Sequence, residues 1–167
     1  MSISIRQTDL AEPRHTRAFL ELLDHYARDP MGGGGGLSGY AHLHLVDRLR
    51  AHPGFVGFIA WKSEPGGEDE VAVGLINCFE GFSTFAARPL LNVHDIVVHA
   101  GHRAGGVGQA LLQAAETAAR ARGCCKLTLE VLSNNQRALA SYARFGLQPY
   151  QLEPAAGQAL FLEKKLG

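Results

Sequence analysis

Four glycines lie among the eight residues from 101 to 108, and Arg103 stands between the first and the second of them. An apolar run, Leu91 to Val98, precedes this stretch, and a helix-like segment, Gln109 to Arg122, follows it. A helix that starts after a glycine-rich turn presents backbone amides that lack partners within the helix and lie at the positive end of its dipole. A phosphate or pyrophosphate satisfies such amides, and a nearby arginine adds a mobile cation. The stretch therefore predicts a phosphate-binding loop.

Two nucleotide-binding motifs fit this loop poorly. A Walker loop needs Lys and then Ser or Thr after its last glycine, whereas Val107 and Gly108 follow Gly106 here. A dinucleotide fingerprint would begin at Gly106, and Glu130 lies where its ribose-binding acid would fall, but Leu111 replaces the third glycine. The remaining alternative is a helix-start turn that binds no ligand, and both the arginine and the density of glycines argue against it.

A second motif follows the loop. A strand is expected at Lys126 to Val131, and the pattern Asn135-x-x-Ala138-x-x-x-Tyr142-x-x-x-Gly146-Leu147 comes after it. Together with the Arg-x-x-Gly-x-Gly pattern at Arg103, this arrangement resembles the acyl-CoA motifs of the GNAT superfamily of acyl-CoA N-acyltransferases, both within residues 91–147. The resemblance implies acetyl-CoA as cosubstrate, direct transfer of its acetyl group to a primary amine, and no metal. The alternative is a non-catalytic acyl-CoA sensor or interaction module on the same fold.

The resemblance also implies which residues hold acetyl-CoA. Backbone groups of Ile96, Val97 and Val98 should pair with the pantetheine amides, because an extended chain can add to a strand edge. Asn135 would hydrogen-bond the pantetheine arm, although Ser133-Asn134-Asn135 also has the chemistry of a helix cap. The residues expected at the phosphates are Arg103, Ala104, Gly105, Gly106, Val107, Gly108 and Gln109.

Tyr142 is the candidate general acid. In the family that the chain resembles, the matching tyrosine points its hydroxyl at the thioester sulfur. Tyr142 shares a helix face with Ala138, one turn earlier, and both are assigned to the cofactor site. The alternative is a packing role, because Tyr142 also shares helical spacing with Leu139 and Phe145.

His94 is the candidate base. Its segment, Asn92-Val93-His94-Asp95-Ile96 after Phe82-Ser83-Thr84-Phe85, resembles the diamine acetyltransferase branch, which has a glutamate where His94 stands. A histidine titrates near neutral pH and can take or relay a proton, although a histidine within an apolar strand is usually a buried structural residue. Because His94 replaces that glutamate, the carboxylate that would attract a second ammonium group is absent at this position, which puts a polyamine substrate in doubt. Strand alternation predicts that His94 and Asp95 face opposite ways, and Asp95 is expected to orient a neighbour, bind the acceptor or form a structural hydrogen bond.

Apolar periodicity predicts the elements that position these residues, in the order β-α-α-β-β-β-α-β-α-β-β. Under the resemblance they form one α/β (α+β) GNAT-like domain over residues 1–167, with a twisted, mixed and mostly antiparallel central sheet flanked by helices. The last two strands are predicted at Leu147 to Leu152 and Gln158 to Leu162.

Two first-half segments bear on the acceptor. The second predicted helix, Tyr40 to Arg50, carries Leu43, Val46 and Leu49 on one stripe. The five glycines from Gly32 to Gly36 predict a flexible loop, which is either a surface linker or a gate for the acceptor pocket.

Composition narrows the class of partner. The 167 residues include 16 acidic and 16 basic side chains, so charge gives no case for nucleic acid or an acidic membrane. No apolar run reaches the length of a membrane span, and the first residues lack a signal-peptide core. Cys78, Cys124 and Cys125 are too few for a disulfide framework and predict reduced thiols in a cytoplasmic protein. The expected partners are a small-molecule amine or peptide acceptor and, by resemblance, a second copy in a homodimer.

Overall fold

The computed structural model describes residues 2–63, 69–150, 153, 155, 157 and 159–166. The chain forms two compact units, Met1–Leu129 and Glu130–Gly167. Within the described residues, the first unit holds five strands and three α-helices, and the second holds one α-helix. In chain order the elements are β1 (Ile3–Gln7), α1 (Pro13–Arg28), α2 (Gly39–Arg50), β2 (Phe55–Ser63), β3 (Glu70–Ser83), β4 (Arg88–Val98), α3 (Val107–Ala121), β5 (Leu127–Leu129) and α4 (Gln136–Phe145).

The strands form one mixed sheet in the order β1-β2-β3-β4-β5. The first four strands run antiparallel to their neighbours, and β5 runs parallel to β4. The predicted α/β class and the mostly antiparallel mixed sheet are confirmed, and so is the predicted order of elements as far as α4. β3 is the middle strand of the sheet, with a paired neighbour on each side.

Helix α1 packs against one face of this sheet. The Glu12 side chain accepts hydrogen bonds from the backbone amides of Arg14 and His15, and Pro13 occupies the first turn, where its missing N–H costs nothing. The buried residues recur at helical spacing: Ala18, Phe19, Leu22 and Leu23. They share a core cluster with Leu75 of β3 and Val97 of β4. Burial of each large side chain contributes about 1.5–3 kcal/mol, so this cluster fixes α1 on the sheet.

Helix α3 packs against the opposite face, where Gly74 of β3 lies. Gly74 precedes Leu75 and therefore faces away from α1. A Cβ atom at Gly74 would lie 3.0 Å from Val107 Cγ1 and 3.0 Å from the carbonyl oxygen of Val97. The missing side chain thus lets the first turn of α3 lie directly on β3, and this contact fixes where the helix begins.

We expect Gly74→Ala to lower the free energy of unfolding by about 1–3 kcal/mol, because the added methyl group overpacks a contact that includes backbone. Gly81→Ala is the matched control in the same strand, since its Cβ would meet a flexible side-chain atom, Leu90 Cδ1, at 3.3 Å. Urea unfolding of both variants measures the difference. Equal stability of the two variants would show that α3 does not depend on Gly74.

The predicted stripe of α2 is wrong at one position. Leu49 is buried and Val46 is half-buried, but Leu43 is 77% exposed. Leu45, one turn before Leu49, packs against the core instead. Leu43 and Leu49 are six positions apart, and at about 100° per residue they lie some 120° apart around the helix. The inward face therefore follows the Leu45–Leu49 spacing and leaves Leu43 in solvent.

The C-terminal strands are not seen in the described residues. Residues 147–150 and 159–162 carry no strand, while Gln151, Leu152 and Gln158 lie outside the described residues. The single-domain organisation stays a prediction. Within the part of the chain described, no helix is both long and apolar enough to cross a bilayer.

Candidate functional site

Strand β4 contains a β-bulge at His94. Asp95 pairs with Asn77 of β3, whereas the next residue of β3, Cys78, pairs with Val93. Two residues of β4 therefore oppose one position of β3, and His94 is the extra residue. Bulges re-aim side chains, so the strand alternation expected from the sequence is interrupted here.

The bulge brings His94 and Asp95 to the same side. His94 Nδ1 lies 3.3 Å from Asp95 Oδ2, although adjacent residues of a regular strand face opposite ways. The predicted opposition of these two side chains is therefore wrong, and the inserted residue is the reason. His94 is 63% exposed while Asp95 is only 20% exposed. The edge of the Phe79 ring packs against the imidazole, with ring centroids 5.5 Å apart. The pair joins an accessible imidazole to a sheltered carboxylate.

Asn77 completes this group from β3. It is only 2% exposed, and its Nδ2 donates a hydrogen bond of 3.2 Å to Asp95 Oδ2. Its Oδ1 is buried and has no hydrogen-bond partner among the described residues. Sequence reasoning missed Asn77, whose one signal is an amide side chain within the apolar run of β3. A buried amide is costly unless it is bonded, which marks this position for scrutiny.

The charge of Asp95 shifts the pKa of two further groups. Burial, followed by the nearby carboxylates of Asp95 and Asp29, raises the pKa of the Tyr26 phenol on α1. Burial, followed by the charge of Asp95, raises the pKa of the Cys78 thiol to about 12. Both groups are therefore neutral at pH 7. Cys78 is a thiol in a low-dielectric environment, which excludes a reactive thiolate at this position.

Beyond the bulge, β4 has an open edge. β5 pairs only with Leu91, Asn92 and Val93, and the pairing stops one residue before His94. From Asp95 to Val98, β4 pairs with β3, and among the described residues no strand lies on its other side. An extended ligand that carries amide groups can bind such an edge as an added strand. This edge includes the predicted residues Ile96, Val97 and Val98.

The open edge leads into the glycine loop, residues 103–108. Ala104 and Gly106 both have left-handed backbone, with φ of 69° and 79°. Gly106 is the N-cap of α3, and within the described part of the chain no side chain forms a cap hydrogen bond there. Gly108 lies in the first turn, where a Cβ would come no closer than 3.8 Å, to Val98 Cγ2. The first amides of α3 thus begin at a small-residue turn, which suits an anion, and a short 3-10 helix, Ala100–His102, separates this turn from the β4 edge.

Arg103 is held by two partners within the first unit. Its Nε donates to the Val98 carbonyl at 3.0 Å, and its Nη2 donates to Asp29 Oδ2 at 3.2 Å. Asp29 follows α1 and also accepts from the Met31 amide. That backbone hydrogen bond and then the Arg103 guanidinium hold the pKa of Asp29 below its usual value. Arg103 therefore ties the glycine loop to the segment that precedes the five glycines, and Asp29 is a partner that sequence reasoning missed.

The two histidines of α2 do not converge. His42 Nε2 lies 3.4 Å from Asp24 Oδ1, and the His44 ring packs on Tyr40 with centroids 4.4 Å apart. Among the described residues, no group of three or more His, Cys, Asp or Glu side chains could hold a metal ion. The absence of a metal from the reaction stays a prediction.

The second predicted motif lies in the second unit, on α4. Asn135 is the N-cap, and its Oδ1 accepts from the Ala138 amide at 3.2 Å. This hydrogen bond supports the alternative role of Asn135 as a helix cap. Tyr142 lies one turn after Ala138, and the helix ends at Gly146, whose φ is 95°. The motif therefore occupies one face and both ends of a single short helix.

The sequence matches a known family over most of its length. The profile of the acetyltransferase (GNAT) family matches residues 18–147. Streptothricin acetyltransferase from Streptomyces lavendulae is 37% identical over 91 residues, which cover 53% of this chain and 48% of that protein. The chain thus spans about half the length of this relative.

Solved structures of acetyltransferases share the fold. The aminoglycoside N-acetyltransferase AAC(6')-Iy, solved with the bisubstrate analogue CoA-S-monomethyl-acetylneamine, gives a TM-score of 0.73 at 19% identity and covers 99% of each chain. Ribosomal-protein-alanine N-acetyltransferase from Brucella melitensis biovar Abortus 2308 gives a TM-score of 0.70 at 18% identity, over 98% of this chain and 100% of that one. At such identities these likenesses concern the fold alone.

Proposed function

The chain belongs to the acetyltransferase (GNAT) family, and from this premise we propose that it is an acetyl-CoA-dependent N-acetyltransferase that acetylates a primary amine of a small molecule. One observation carries the proposal: no strand among the described residues covers the edge of β4 from the bulge to Val98, and the chain then leads through a short 3-10 helix, Ala100–His102, to the glycine loop and the start of α3. This order along the chain offers an extended amide-binding edge followed by an anion site. Acetyl-CoA has the matching order of groups, with an amide-bearing arm joined to a pyrophosphate.

The cofactor roles follow from that order. Backbone groups of Ile96, Val97 and Val98 would pair with the pantetheine amides, and the amides of the glycine loop and Gln109 would bind the pyrophosphate. Arg103 would turn its guanidinium toward the phosphates, beside or in place of its bond to Asp29. Asn135 and Ala138 are assigned to the pantetheine arm on the motif alone.

The chemistry requires proton transfer at two atoms. A primary alkylamine is mostly protonated at pH 7, so it must lose a proton before its nitrogen can attack the thioester carbon. His94 would take that proton, with Asp95 stabilising the imidazolium that forms. A C–N bond forms as the C–S bond breaks, and Tyr142 would give its proton to the departing sulfur. Positioning of the two reactants supplies much of the remaining rate.

His94→Gln should lower kcat/KM for the amine by about 100-fold, since a positioned base typically contributes at least that much. The affinity for acetyl-CoA should not change. His44→Gln is the matched control, because His44 lies on α2 and not on β4, and its ring packs on Tyr40 of the same helix. Steady-state rates over a pH series check the prediction, and wild-type rates in His94→Gln would remove this residue from the reaction.

The acceptor class is narrowed by the sequence relative. Streptothricin acetyltransferase, 37% identical over 91 residues, supports a small-molecule amine as the acceptor. Asp95 supplies a carboxylate beside His94 that could attract a second ammonium. The diamine-like segment around His94 leaves short diamines as a further option, and peptide N-termini remain the alternative.

An acceptor panel tests this directly. Purified protein with acetyl-CoA should acetylate streptothricin or an aminoglycoside faster than a diamine or an alanine-terminated peptide, measured by release of free CoA thiol and by product mass. Faster acetylation of the peptide would move the acceptor to protein N-termini. Binding of acetyl-CoA without turnover of any amine, and without slow hydrolysis, would support the non-catalytic sensor instead.

A further inference from the structure

We propose that Asn77 is a positioning residue that acts through Asp95 to fix which nitrogen of His94 carries the proton. The inference rests on the proposed function, because it concerns the residue assigned as base. The juxtaposition behind it is a chain of three side chains across the bulge, from a buried amide to a sheltered carboxylate to an exposed imidazole.

The first link fixes the carboxylate. Asn77 Nδ2 can only donate, so the Asp95 oxygen that it contacts at 3.2 Å must accept. Asn77 is 2% exposed and belongs to the middle strand of the sheet, so its amide has little freedom to turn away. This hydrogen bond restrains the Asp95 carboxylate, whose Oδ2 also lies beside His94 Nδ1.

The second link sets the tautomer. The same Oδ2 lies 3.3 Å from His94 Nδ1. An ionised carboxylate is an acceptor only, so it favours the imidazole that carries its proton on Nδ1. Nε2 is then the unprotonated nitrogen and can take a proton from an amine. A buried carboxylate orients the catalytic histidine of serine hydrolases by the same physical logic.

The neighbouring groups do not compete for this role. The charge of Asp95 also acts on Tyr26 of α1 and Cys78 of β3, and both are neutral at pH 7 because burial raises the pKa of each. The Phe79 ring flanks the imidazole without offering a charge. Among these neighbours, Asn77 is the one bonded to the oxygen that meets His94.

The test measures the tautomer of His94 by 15N NMR of the ring nitrogens, with the His94 signals identified by their loss in His94→Gln. Wild-type protein should show the form protonated at Nδ1. Asn77→Leu keeps the branching of the side chain at Cγ and removes the donor; the population protonated at Nε2 should rise and kcat should fall about tenfold, with the KM for acetyl-CoA unchanged. Asn77→Ser, whose hydroxyl is too short to reach Asp95, should shift the tautomer in the same direction if leucine prevents folding.

Ile76→Val is the control, since it removes one methyl group from a fully buried neighbour in β3 and should leave the tautomer unchanged. An Nδ1-protonated His94 in both Asn77 variants would overturn the inference. Because the tautomer is read without substrate, this outcome is distinct from failure of the acetylation assay, which would overturn the proposed function instead.

Discussion

Gly106→Val should reduce the affinity for acetyl-CoA by at least about 100-fold. Gly106 is the N-cap of α3 with φ of 79°, a conformation that costs an L-residue about 1–2 kcal/mol and a β-branched residue more. The loop would relieve this strain by turning, and its amides would leave the anion site. Loss of two hydrogen bonds to a charged phosphate, at about 1.5 kcal/mol each, gives the stated factor.

Gly123→Val is the matched control. Gly123 lies just after α3, with φ of 70°, and a Cβ at either glycine would meet no atom within 4 Å. The two substitutions therefore impose similar backbone strain at opposite ends of one helix. Isothermal titration with acetyl-CoA separates them: Gly123→Val should bind normally. Equal losses in both variants would trace the defect to helix stability and remove the glycine loop from the binding site.

Tyr142→Phe should lower kcat by about 100-fold or more, the usual contribution of a general acid. The substitution deletes one hydroxyl and keeps the ring, so packing within α4 is preserved. The dissociation constant for acetyl-CoA should stay within about twofold, because the proton is needed only as the sulfur departs. Pre-steady-state kinetics of acetyl transfer test the fall in rate, and equilibrium binding tests the unchanged dissociation constant for acetyl-CoA.

Tyr150→Phe, a 59% exposed tyrosine of the same unit, serves as the control for loss of a phenol. Normal turnover in Tyr142→Phe would leave Tyr142 with the packing role that its spacing also allows. A weakened affinity with unchanged kcat would assign the hydroxyl to cofactor binding rather than to protonation of the thiolate.

Much of the fold could be predicted from the sequence, because local patterns determine where the helices and turns form. Pro13 and the spacing of Phe19 with Leu22 and Leu23 define α1, and glycines with left-handed backbone, Gly123 and Gly146, follow α3 and α4. The glycine loop was predictable for the same reason, since a tight turn before a helix needs small residues. Boundaries moved by a few residues, as with β5, which is shorter than its predicted span.

The rest depends on contacts between distant residues. A bulge shifts the alternation of faces by one residue, but Ile96, Val97 and Val98 are all apolar and hide this shift in the sequence, so regular alternation predicted the opposition of His94 and Asp95. Asp29 meets Arg103 from 74 positions away, and Asn77 meets Asp95 from 18 positions away. Pairings at such separations are set by the register of the sheet and the packing of α1, which a single sequence does not encode locally.

The central claim is that the β4 edge and the glycine loop bind acetyl-CoA. A thermal-shift titration of the full chain with acetyl-CoA, CoA, NAD and ATP tests it most directly. Ligand at about 100 times its dissociation constant stabilises the native state by about 2.7 kcal/mol, which corresponds to about 5–10 °C for a protein of this size. We expect shifts of that size with acetyl-CoA and CoA and much smaller ones with NAD and ATP. No shift with CoA, or a larger one with NAD or ATP, would contradict the account.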